Sequence, residues 1–145
     1  MKTPQTLAKE LARMFPNTDM QKIADLACCA FVVMWCLYIE PDDIEAIKIV
    51  QNMRKKGVIR DDCVVLWYKV VPYLTGRELK EVKFTDINSI KKIKARTPVL
   101  YAKEGNAKGI GHWVGVENGK IGFNPQDYSV NVAEGKPVEM RELVF

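Results

Sequence analysis

The chain has 145 residues, enough for one domain around one core, and 48% of them are hydrophobic. Its net charge of +4 is spread over segments of mixed sign, which argues against a disordered chain and leaves no basic stripe for nucleic acid. Met1-Lys2-Thr3-Pro4 opens no apolar leader, and the longest uncharged run, Leu26 to Ile39, is fourteen residues, too short for a membrane span, so a cytoplasmic protein is expected.

In chain order, Thr3 caps a first helix with Pro4 at its first position and Leu7, Leu11, Met14 and Phe15 as its apolar stripe, ended by Pro16-Asn17. Thr18 opens a second helix, with Gln21 placed for a capping box. This segment either runs unbroken to Tyr38 or breaks near Asp25. From Leu26 onward it is apolar on every side, which predicts a central helix enclosed by protein. Pro41 starts a third helix, with Asp42 and Asp43 in its first turn, Ile44, Ile47, Val50 and Met53 as its buried face, and Gly57 after its end. A fourth helix is expected from about Asp62 to Tyr73, burying Cys63 or Val64, Trp67 and Val71, with Gly76 closing it. Asp86 caps a short helix carrying Ile87, Ile90 and Ile93.

Strand patterns dominate the rest. Leu79 to Phe84, Pro98 to Lys103, Gly111 to Glu117, Lys120 to Phe123, Ser129 to Val132 and Val138 to Val144 all read as strands. Glu104 to Gly109 reads as a polar loop, and Asn118-Gly119 as a type I′ hairpin turn. Helices first and strands after predict an α+β fold over residues 1–145, with a buried central helix packed on a C-terminal antiparallel meander. The basic runs Arg54-Lys55-Lys56 and Lys91-Lys92 with Lys94 and Arg96 fall at helix ends and read as solvated surface.

Four cysteines, Cys28, Cys29, Cys36 and Cys63, make no Cys-x-x-Cys pair, and His112 is the one histidine, so no metal site and no cofactor is expected. Free thiols in a reducing compartment are the simple reading. In the hairpin centred on Asn118-Gly119, His112 and Asn124 fall opposite each other or one step apart. Asn124 could then hold one ring nitrogen and leave the other free, the base-and-orienter half of a catalytic triad. Cys28 and Cys29 gain from a helix N-terminus only if the helix breaks ahead of them. Otherwise they are small buried hydrophobes, as Cys36 and Cys63 are taken to be.

A cysteine opening a buried helix, then His112-Trp113-Val114-Gly115-Val116, then Asn124-Pro125 after a hairpin, resembles the papain-like cysteine peptidase superfamily. Within it the chain is most similar to the bacteriocin-processing peptidase domains of bacteria and to uncharacterised bacterial papain-like proteins. The resemblance implies a thiol nucleophile at Cys28 or Cys29, with a slight preference for Cys29. It implies His112 as base, Asn124 as orienting residue and Gln21 as the oxyanion-hole glutamine. The departures are Ala27, where the family pattern has glycine nearby, and the long spacing of Gln21 from the cysteines.

Three functions follow. A cysteine peptidase or amidase would work through an acyl-enzyme on a peptide or protein. A catalytically silent papain-like domain would bind a protein or peptide partner. A plain α+β domain would use His112 only structurally. Trp113 and Trp35 read first as core and second as walls of a cleft.

Overall fold

The computed structural model of the chain describes residues 1–16, 18–105 and 111–145, with the side chain of Thr18 left out. The expected Asn17 helix stop, the Thr18 half of the capping box and the 106–109 part of the polar loop lie outside the described residues. The fold is α+β. Helices α1 (Pro4–Met14), α2 (Thr18–Leu26), α3 (Cys28–Cys36), α4 (Asp43–Lys55) and α5 (Trp67–Thr75) come first. Strand β1 (Glu81–Thr85), a 3-10 helix Ile87–Lys92, strands β2 (Thr97–Ala102), β3 (His112–Glu117) and β4 (Lys120–Phe123), the single turn α6 (Val130–Ala133) and strand β5 (Lys136–Val144) follow.

The long second helical segment does break. Ala27 leaves helical geometry between α2 and α3, and no side chain caps the new start. Everything after Cys28 in α3 is buried, and the helix lies against β3 and β2. Its C-terminal half is seated by glycines. A Cβ on Gly115 would lie 2.3 Å from Trp35 Cε3, and one on Gly122 would lie 2.9 Å from Trp35 Cζ2. Only bare backbone lets the indole lie flat on the sheet, where it stacks on Phe123 at 5.9 Å between ring centroids.

The five strands are antiparallel in the order β1-β5-β2-β3-β4. Strands β2, β3 and β4 form the expected meander, but the last strand returns to lie between β1 and β2. With that place taken, the segment expected as a strand, Ser129 to Val132, coils into α6, whose backbone bonds run from Ala133 and Glu134 back to Ser129 and Val130. The Asn118-Gly119 turn is as read from the sequence, with φ of 54° and 75° at its two residues, the left-handed pair a type I′ turn requires.

Three helical expectations need correction. The fourth helix begins at Trp67, not at Asp62. Ahead of it the chain turns through Cys63 at φ 64°, Asp62 Oδ1 accepts the Val64 N–H at 3.3 Å, and Ile59 bridges to Val65. The aspartate offers the backbone a local bond that competes with the first helical turn. In α4 the Asp42 carboxylate caps the Glu45 N–H at 2.8 Å and sets the phase so that Ala46 is buried while Ile44 is 57% exposed. In α1 the buried face is Gln5, Ala8 and Ala12. Leu7 and Leu11 are half-buried, and Met14 and Phe15 are exposed. The alanines admit α2 closely.

Two arginines read as solvated surface are structural. Arg54 of α4 pairs with Asp19 and with Asp61, the latter at 2.9 Å, tying α2 and the 61–65 turn to α4. The Arg96 guanidinium lies 4.2 Å from the Trp35 and Tyr38 ring centroids, donates to the Trp35 carbonyl at 3.0 Å and is 3.2 Å from Glu40. It closes the C-terminal end of α3. No helix among the described residues is long and apolar enough to cross a membrane.

Candidate active site

The break at Ala27 makes Cys28 the first residue of α3, where the leading backbone N–H groups have no partner inside the helix. Two cavities meet at this point. One, of about 290 Å³, is lined by Val65, Trp67, Leu100 and Trp113, with Asp25 and Asp62 among its polar groups. The other, of about 370 Å³, is lined by His112, Lys9, Gln126 and the 128–131 segment. Asp25, Cys28 and Gly111 line both. Cys28 therefore stands at the boundary between an apolar cavity and a polar one, with His112 on the polar side.

His112 opens β3 and is 4% exposed. Its Nε2 lies 2.7 Å from Asn124 Oδ1. The same oxygen accepts the Gln126 N–H at 3.2 Å, which fixes it as an acceptor. Nε2 therefore carries the hydrogen, and in the neutral ring Nδ1 keeps its lone pair. A register shift between Gly115 and Val116 explains how the two side chains meet. Val116 pairs with Ile121 but Gly115 with Phe123, so one extra residue enters β4. The period of a strand is two, so this single step carries Asn124 from the Trp113 face to the His112 face. The bulge, which no turn signal announced, corrects the expectation that the two residues lie opposite or one step apart: in the observed register Asn124 falls two positions along from His112, diagonal to it on the same face.

Burial lowers the basicity of His112, the Asn124 bond works against that, and Lys9 adds to the lowering. Burial also raises the Cys28 thiol, and the backbone N–H groups of Trp113, Cys29 and Cys28 itself partly offset the rise. Both groups are thus held neutral near pH 7, with donors waiting for negative charge on the sulfur. Cys29 turns inward. It is buried, its thiol is raised well above the ordinary range by burial, and it lines the apolar cavity only. Cys36 lies at the far end of α3 and is likewise raised by burial. Cys63 is pushed up to about 11 by burial, and its Sγ is 3.9 Å from the Lys22 carbonyl.

Gln21 does not join this group. It is exposed on α2, its amide donates to Asp25 Oδ2 at 3.0 Å, and it lines neither cavity. Trp35 belongs to the core, whereas Trp113 lines the apolar cavity and meets Trp67 edge to face at 6.1 Å. Sequence reasoning passed over Gln5. Its backbone N–H donates to the Pro125 carbonyl at 2.9 Å, so the start of α1 clamps the loop that presents Asn124. Its side-chain amide is fully buried with no hydrogen-bond partner among the described residues. The available signal was its spacing from Ala8 and Ala12, which puts it on the packed face of α1. No group of His, Cys, Asp and Glu among the described residues is arranged to hold a metal ion.

Comparison with protein-family models, with curated proteins and with solved structures finds no match to this chain. The chemistry of the site is therefore argued from its own residues.

Proposed function

We propose that this chain is a papain-like cysteine hydrolase of amide bonds in peptides or proteins, with Cys28 as nucleophile, His112 as base and Asn124 as the residue that orients it. One observation carries the reading: Cys28, first in its helix, and His112, held through Nε2 by Asn124, line the same cavity. The thiol proton passes to Nδ1 of His112 as the sulfur bonds to the substrate carbonyl carbon. The carbon–nitrogen bond then breaks, and the Nδ1 proton goes to the departing amine. Water attacks the thioester, gives a proton to His112 and releases the acid, and the sulfur recovers its hydrogen. The neutral resting pair makes proton transfer part of the attack, in place of a standing thiolate. The leading N–H groups of α3 are the donors available to the oxyanion.

A second reading, a silent domain that binds peptides, is favoured by one observation: Gln21 lies away from the cavities, so no side-chain donor for an oxyanion is identified. The test is site-resolved alkylation of the native protein by a chloroacetamide at neutral pH, read by peptide mass spectrometry. The hydrolase reading expects Cys28 to be modified at least about tenfold faster than Cys29, Cys36 and Cys63, and expects His112→Ala to remove most of that advantage. Slow modification of all four at one rate would overturn it.

A further inference from the structure

The two cavities differ in chemistry, and the position of His112 says which side of a substrate each would take. The group that protonates the departing amine must reach its nitrogen, so the leaving side lies in the cavity that His112 lines. The acyl side then lies across Cys28, in the cavity that His112 does not line. That cavity has an apolar wall of Val65, Trp67, Leu100 and Trp113 and two exposed carboxylates, Asp25 and Asp62. No cation is among its lining residues in the described part of the chain, and the Arg141 guanidinium lies 5.7 Å from the Trp113 ring centroid. Among the described residues Asp25 accepts the neutral Gln21 amide, and Asp62 is 3.2 Å from Arg60 in an exposed pair of the weak kind, with the Lys22 ammonium also within electrostatic reach of it.

We infer that the acyl side of the substrate carries a long aliphatic side chain ending in a cation, a lysine or an arginine, whose stem lies on Trp67 and Trp113 and whose head meets Asp25 and Asp62. An apolar wall with acidic groups is complementary to a side chain that buries its methylenes and keeps its charge near water. Aromatic faces add attraction for the cation. The leaving side is polar by the same reasoning, since its cavity is lined by Lys9, Gln126, Ser129 and Asn131 and shares Asp25 with the acyl side, which leaves Asp62 as the carboxylate of the acyl side alone. This inference rests on the hydrolase reading and deepens it.

The test uses three peptidyl acyloxymethyl ketones of one length, with lysine, norleucine or glutamate beside the ketone, and measures the second-order rate of Cys28 modification. Lysine should react about tenfold faster than glutamate and several-fold faster than norleucine at low salt, and added salt should narrow both gaps. Asp62→Asn with Asp25→Asn, both surface changes, should bring the lysine rate down to the norleucine rate measured in the same variant. Equal rates for the three probes, or a preference for glutamate, with Cys28 still the residue modified, would overturn this inference and leave the hydrolase reading standing. Failure of every probe to modify Cys28 ahead of the other cysteines, in protein shown to be folded by circular dichroism, would overturn both.

Discussion

The two ends of α3 carry a cysteine each, and the two ends sit in opposite surroundings. At the C-terminal end Cys36 is enclosed with Trp35, which lies on Gly115 and Gly122 and is covered by the Arg96 guanidinium. At the N-terminal end Cys28 is half-buried at a break in the chain, between two cavities and on the side of a buried imidazole. The same residue type is packing material in one place and a candidate nucleophile in the other. What separates them is the free N–H end of the helix and a cavity shared with the His112 ring, not the thiol itself.

The largest expected effect breaks the packed end. Gly115→Val would drive a side chain into the indole of Trp35, and the loss should be about 3 kcal/mol or more in urea unfolding. Trp35→Ala should cost about 3–5 kcal/mol. Because the clash needs both partners, the double variant should be less destabilised than the sum of the two, and strict additivity would show that the glycine is not there for the ring.

At the other end the effect is on chemistry. Cys28→Ala should abolish thiol-dependent turnover of a peptide substrate while changing stability by less than about 1 kcal/mol. Cys36→Ala should do the reverse, leaving turnover in place and costing stability. Turnover that survives in Cys28→Ala but not in Cys29→Ala would move the nucleophile one residue along the helix.

A smaller effect follows from the buried imidazole. Burial holds the folded His112 below its ordinary value of 6.5, so on acidification the unfolded chain takes up that proton first. The stability tied to the neutral ring is complete above about pH 6.5 and declines as pH falls through the window beneath it. Urea midpoints should therefore drop more between pH 7 and pH 5 in the native sequence than in His112→Gln. Parallel drops in the two proteins would mean that the ring is not held neutral by the fold.

The smallest expected change is a gain. Among the described residues the Gln5 amide is buried without a partner, at a cost of about 1–3 kcal/mol. Gln5→Met keeps the length and removes the polar atoms, so it should raise the unfolding midpoint by an amount worth about 1 kcal/mol. A lower midpoint would show that the amide is satisfied in solution and helps to hold the Asn124 loop.

Much of the fold was legible because it rests on local rules. Asn118-Gly119 dictated its turn, Asp42 its cap, and the apolar run from Leu26 its burial. What was not legible depends on residues far apart in sequence. The place of β5 between β1 and β2 decides that Ser129 to Val132 is a turn of helix, and no pattern inside that segment contains this. Arg54 and Arg96 read as surface because their acidic and aromatic partners, Asp19, Glu40 and Trp35, lie elsewhere in the chain. At the site, hairpin spacing placed His112 and Asn124 near each other but not in their observed register, which the bulge at Gly115 sets. Whether the cysteine pair gains from a helix N-terminus turned on where the helix breaks, which the sequence left between two options.

The most direct test is the titration and tautomer of His112 followed by nitrogen NMR, before and after alkylation of Cys28. The account expects the neutral ring to carry its hydrogen on Nε2, to protonate only below its ordinary range, and to change its Nδ1 resonance when the sulfur is capped. A hydrogen on Nδ1, or a ring indifferent to modification of Cys28, would contradict it.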